Sequence, residues 1–216
     1  MARGPPHADS ESMRNLRLAL VVFTGLLWTA APAAAAGGHY VFAGGTPRQQ
    51  SQVRQALDAS AFDWNLVPVQ ITIRIAPGLQ SEATPGTISL DANLLNAGTF
   101  SWGTVQHEYA HQVDFFLLDD PKRAELFSLL GGKDWCYSVA GLAHAQYGCE
   151  RFASTLAWAY WPSSVNSMKP TSAADESAAM APAKFRALLA VLIGAPNTVQ
   201  PAVTAYAPKR QHRPKH

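Results

Sequence analysis

Residues 107–111 read His107-Glu108-Tyr109-Ala110-His111, two imidazoles four positions apart with a carboxylate beside the first. Four positions are about one helical turn, so on a helix both rings lie on one face and can aim at one ion. Imidazole nitrogen suits zinc, and Glu108 stands where it can take a proton from a water that such an ion activates. The pentad therefore reads as a one-ion zinc site carrying its own general base, the pattern of metal-dependent peptide hydrolysis. On a helix whose histidines are merely solvated or satisfied the same five residues do no chemistry, so the surroundings decide.

Catalytic zinc takes three protein ligands and keeps one position open, and the pentad supplies only two. Glu150 is the candidate third ligand. It opens the almost uncharged stretch 150–158, where a carboxylate needs a partner. A metal ion is one such partner, and the positive end of a helix dipole is another. Asp114 stands three residues after His111 and seven after His107, on the same helical face. It can be read as a ligand, as a surface acid, or as the acceptor that fixes a ligand imidazole through its other ring nitrogen; the last is the reading adopted here. The longer metzincin pattern is excluded, because Asp114 and Leu117 occupy the positions where it needs glycine and histidine.

These side chains need elements to hold them. Thr46-Pro47-Arg48-Gln49 is a capping box with proline in the first turn, predicting a helix to about residue 59. Residues 69–75 alternate apolar and polar and read as a strand; Pro85-Gly86 marks a turn before a second short strand at 87–91. Thr99 or Ser101 can cap a helix running through the pentad to about residue 118. Asp120 and Pro121 can start the next, which ends at Gly131-Gly132. Residues 133–146 read as irregular. A helix from about 148 to 161 stops at Pro162, a polar loop spans 163–177, and a last amphipathic helix covers 184–193. This order predicts an α+β domain: a small sheet, the pentad helix packed on it, and further helices, one carrying Glu150.

The 216-residue chain suits one such domain with tails. Arg14 and Arg17 precede the apolar run 18–28, and an alanine-rich segment ends in small residues at Ala34 and Ala36. That is the form of an export signal spanning 1–36, cleaved near Ala36; a retained anchor over 18–36 is the alternative. Residues 1–36 hold three of the 17 Lys and Arg and two of the 15 Asp and Glu; the tail from Pro208 holds four more cations and no acid. The remaining chain keeps ten basic against thirteen acidic residues, which excludes a nucleic-acid footprint. Residues 37–200 are assigned to the domain and 201–216 to a basic disordered tail able to touch an anionic envelope surface weakly. Cys136 and Cys149 both follow the signal, and an exported pair this close reads as a disulfide.

The run His107-Glu108-Tyr109-Ala110-His111-Gln112-Val113-Asp114, followed by Glu150-Arg151-Phe152-Ala153, resembles the gluzincin metallopeptidases. It is most similar to the lethal-factor-like branch, which pairs H-E-x-x-H-x-V-D with a later E-x-F-A helix. The resemblance spans about residues 85–160. It implies a zincin-like fold, an extracytoplasmic peptidase with a peptide or protein substrate, zinc on His107, His111 and Glu150, and Glu108 as base. It further implies a catalytic tyrosine, Tyr147 of Tyr147-Gly148, and a substrate lying as an added edge strand along residues 87–91. The chain departs from that pattern twice: the interval from Tyr147 to Glu150 is short, and Ser154 stands where an acid is usual. Tyr137 and His144 are the alternatives to Tyr147 for stabilising the oxyanion. A reading of a different class is a non-catalytic, zinc-stabilised module that binds the envelope; an intact Glu108 argues against it.

Overall fold

The computed structural model describes residues 37–197. The expected export signal (1–36) and basic tail (201–216) lie outside the described residues. Among the described residues six helices and a four-stranded sheet form a mixed α+β fold. Strand β1 (Tyr40–Gly44) leads into helix α1 (Pro47–Ala59), then β2 (Ile71–Ala76), β3 (Glu82–Thr84) and β4 (Thr87–Asp91). The short helix α2 (Ala92–Leu95) precedes α3 (Trp102–Leu117), which carries the pentad; α4 (Asp120–Leu130), α5 (Gly148–Tyr160) and α6 (Pro182–Ile193) follow.

The predicted capping box is present at α1. Thr46 Oγ1 accepts from the Gln49 amide at 3.3 Å, and Gln49 Oε1 accepts from the Thr46 amide at 2.8 Å. The α4 cap is Asp119, one residue earlier than expected, because its carboxylate accepts from the Lys122 amide at 3.0 Å. Ser101 precedes α3 without a side-chain capping bond. Its hydroxyl donates to the Gly98 carbonyl at 2.8 Å and closes a 3-10 turn instead.

Strand order is β1-β2-β4-β3. β1 and β4 flank β2 in parallel, and β3 runs antiparallel on β4. The alternation in β2 works as read: Ile71, Ile73 and Ile75 are buried and face Ile88 and Leu90 of β4 in one core. That core is completed by Val53 and Leu57 of α1, Tyr109 and Val113 of α3, and Phe152 and Leu156 of α5. β1 and β3 were not expected. β3 alters the position of the strand at 87–91, which is interior and not an edge. Pro85-Gly86, with Gly86 at φ +77°, folds residues 82–84 back onto it, so β3 takes the outer position.

Cys136 and Cys149 are joined, their Cα atoms 5.4 Å apart. The bond ties the irregular segment 133–146 to the first turn of α5 and points to an oxidising, extracellular environment. Among the described residues no helix is long and apolar enough to cross a membrane. The bond closes a loop with a sequence separation of 13. Replacing both cysteines with serine is expected to lower unfolding free energy by about 3 kcal/mol, read as a lower urea midpoint.

Candidate metal centre

Helices α3 and α5 pack against each other across the core, which sets the pentad beside the first turn of α5. There Gly148 is required by close approach, since a Cβ at that position would come within 2.7 Å of the Trp135 ring and 2.9 Å of Phe127. Three atoms converge as a result. His107 Nε2 lies 3.1 Å from Glu150 Oε2, His111 Nε2 lies 3.3 Å from the same oxygen, and the two Nε2 atoms are 3.2 Å apart. All three residues are buried, with 3–6% exposure.

The triangle fits a metal ion. Ligand bonds of about 2.0–2.1 Å at tetrahedral angles put donor atoms about 3.3 Å apart, close to all three observed separations. Its chemistry suits a cation as well. Two lone-pair nitrogens and a carboxylate oxygen repel one another unless something positive lies between them. Burial lowers the His107 pKa, but the Glu150 hydrogen bond and nearby carboxylates outweigh it and leave it raised. Burial likewise raises Glu150, yet hydrogen bonds from His107, His111 and His144 carry it well below the usual carboxylate range. The buried trio His107, His111 and Glu150 can hold a metal ion.

Glu108 lines the same cleft, of about 410 Å³, with both histidines and Glu150. Burial raises its pKa, partly offset by His107 and His111. No hydrogen bond or ion pair among the described residues claims its carboxylate. The edge strand contributes Glu82 and Ala83 to the lining, and the disulfide loop contributes Tyr137 and His144.

Tyr147 is not in that lining. Its ring is 3% exposed and its hydroxyl donates to the Val139 carbonyl at 2.7 Å, bracing the loop. Tyr137 stacks on it with centroids 4.2 Å apart and donates to Glu150 Oε1 at 2.7 Å. Tyr137 also holds φ +58°, a left-handed backbone uncommon for a bulky residue and a form of strain concentrated at functional sites. The disulfide explains the exchange: bonding Cys136 to Cys149 brings the next residues, Tyr137 and Glu150, together.

Asp114 touches neither imidazole through a hydrogen bond. Arg123 Nε donates to its Oδ1 at 2.8 Å and Trp135 Nε1 to its Oδ2 at 3.2 Å, so it pins α3 to α4 and to the loop. The partner of His107 Nδ1 is Ser154 Oγ, at 3.0 Å. Sequence reasoning passed over that serine's use because a hydroxyl there is a departure from the related pattern.

Gln112, beside His111 and fully buried, was also passed over. Its Nε2 donates to the carbonyls of Thr84 (2.9 Å) and Thr87 (3.2 Å), and its Oε1 accepts from the Gly86 amide (2.8 Å). One side chain therefore sets the distance between the β3–β4 hairpin and α3. Gln112→Leu leaves three backbone groups without their partner, at a cost of about 1–3 kcal/mol each if they stay dry. Faster hydrogen exchange at the Gly86 amide, with the α3 amides unchanged, is the expected result.

Comparison with family models, curated proteins and solved structures gave no match, so side-chain geometry is what bears on function.

Proposed function

We propose that the chain is an exported zinc-dependent endopeptidase with a zincin-like domain of the gluzincin type. The observation that carries this reading is the 3.1–3.3 Å convergence of His107, His111 and Glu150 beside an unclaimed Glu108. Two imidazoles among three donors favour zinc over calcium or magnesium, which prefer oxygen. When bound, zinc supplies Lewis-acid chemistry, polarising a carbonyl and lowering the pKa of water toward neutrality.

The chain's own residues do the remaining work. His107, His111 and Glu150 would hold the ion. Glu108 accepts the proton of the attacking water and returns it to the leaving amine; its raised pKa suits a base working nearer neutral pH. Tyr137 and His144 replace Tyr147 as the donors that would turn from Glu150 to the carbonyl oxygen as it gains charge. The free edge of β3, and not β4, offers an extended peptide a strand to pair with. A purely structural zinc site is usually closed and rich in cysteine. An open cleft holding an unpaired acid supports hydrolysis over an envelope-binding module. The signal at 1–36 and the disulfide support export.

The test is metal analysis of the mature chain with a peptide library as substrate. One zinc per chain and cleavage that stops with chelator and returns with zinc is the expected outcome. A zinc-loaded chain that cleaves no peptide contradicts the enzymatic reading and favours the binding module.

A further inference from the structure

The polar loop after α5 sends one side chain back to the metal centre. Glu176, in a 3-10 turn at Glu176–Ala178, accepts from the Ser154 hydroxyl at 2.8 Å through Oε2. Its other oxygen, Oε1, lies 2.6 Å from His144 Nδ1. Ser154 Oγ in turn lies 3.0 Å from His107 Nδ1. Bond direction follows from the groups. An ionised carboxylate only accepts, so the serine proton goes to Glu176, and the serine oxygen accepts Nδ1–H of His107. With a metal bound, His107 would then offer a bare Nε2, the atom in the triangle. His144 gives its own Nδ1–H to Glu176, which turns its Nε2 toward the cleft, 3.1 Å from Glu150 Oε2. The serine is 2% exposed, so no water can replace it easily.

We propose that Glu176 is the shared anchor of this site, setting the His107 tautomer through Ser154 and aiming His144 directly. It supplies, from 22 residues downstream, the carboxylate that the Ser154 position itself lacks. The inference rests on the metal-site reading. Glu176 is a positioning residue, since it meets the ligand His107 only through Ser154.

Zinc affinity, measured by chelator competition on the mature chain, tests it, alongside the melting temperature of the metal-free form and peptidase kcat. Glu176→Gln is expected to weaken zinc binding about 10–100-fold and to lower kcat, with the metal-free melting temperature held. Ser154→Ala should weaken zinc to a similar degree, and the double variant should be no weaker than either single one, because both cut the same chain. Ser154→Asp in the Glu176→Gln background puts a carboxylate on His107 Nδ1. It should restore zinc affinity but not kcat, since His144 stays unanchored. A zinc-binding wild type whose affinity changes by less than about twofold in Glu176→Gln and Ser154→Ala overturns the anchor alone. A wild type that binds no zinc overturns the metal site and the anchor with it.

Discussion

Glu108→Gln is expected to leave the zinc content of the mature chain unchanged and to lower kcat by about 10²–10⁴, the usual contribution of a positioned acid or base. The substitution keeps volume and shape and removes only the ability to take a proton. Glu108 contributes no atom to the ligand triangle, and no described side chain depends on its carboxylate. Its contact with the site is electrostatic: the two imidazoles act on its pKa, and burial dominates. Metal content and turnover should therefore separate cleanly. Stopped assays beside metal analysis of the same sample read both, and full turnover in the variant would remove Glu108 from the mechanism.

Glu150→Ala is expected to abolish both metal and turnover. Glu150 Oε2 receives His107, His111 and His144 at 3.1–3.3 Å, so its loss takes the carboxylate from three imidazoles at once. Two histidines then face each other across 3.2 Å with no anion between them. The loss of zinc affinity should exceed the roughly 100-fold upper range for an outer partner, because a direct donor is gone. Chelator competition reads this. Retention of tight zinc binding would mean that a different third donor, such as His144, closes the set. Tyr137 loses its acceptor in the same variant, so the disulfide loop should also exchange amide hydrogens faster.

What could be read from the chain, and what could not, divides along a physical line. Local rules reached the elements that depend on local chemistry. Thr46 and Gln49 form their reciprocal cap, the β2 isoleucines share one buried face, and α5 ends before Pro162. The three side chains that converge were legible too, because i, i+4 spacing pairs His107 with His111 and an acid on an apolar helix singles out Glu150. β3 was not, since Glu-Ala-Thr carries no apolar alternation and is held as a strand by its pairing with β4 across the Pro85-Gly86 turn and by the Gln112 side chain. Tyr147 was favoured through the resemblance, as the tyrosine of a Tyr-Gly pair preceding Glu150, although its interval to Glu150 is short. In space the Cys136–Cys149 bond instead sets Tyr137 on the carboxylate. Asp114 lost the predicted imidazole to a guanidinium and an indole brought in from α4 and the loop. Glu176 gave no signal of its own: an acid in a polar loop is ordinary until the fold lays it on Ser154 and His144.

In the proposed site three side chains from two helices close on one cation. Diffraction from crystals of the mature chain, with anomalous data collected on both sides of the zinc absorption edge, tests it most directly. The expected result is a single anomalous peak about 2.0–2.2 Å from His107 Nε2, His111 Nε2 and one carboxylate oxygen of Glu150. Crystals grown with zinc that show no peak there, or a peak held by other residues, would contradict it.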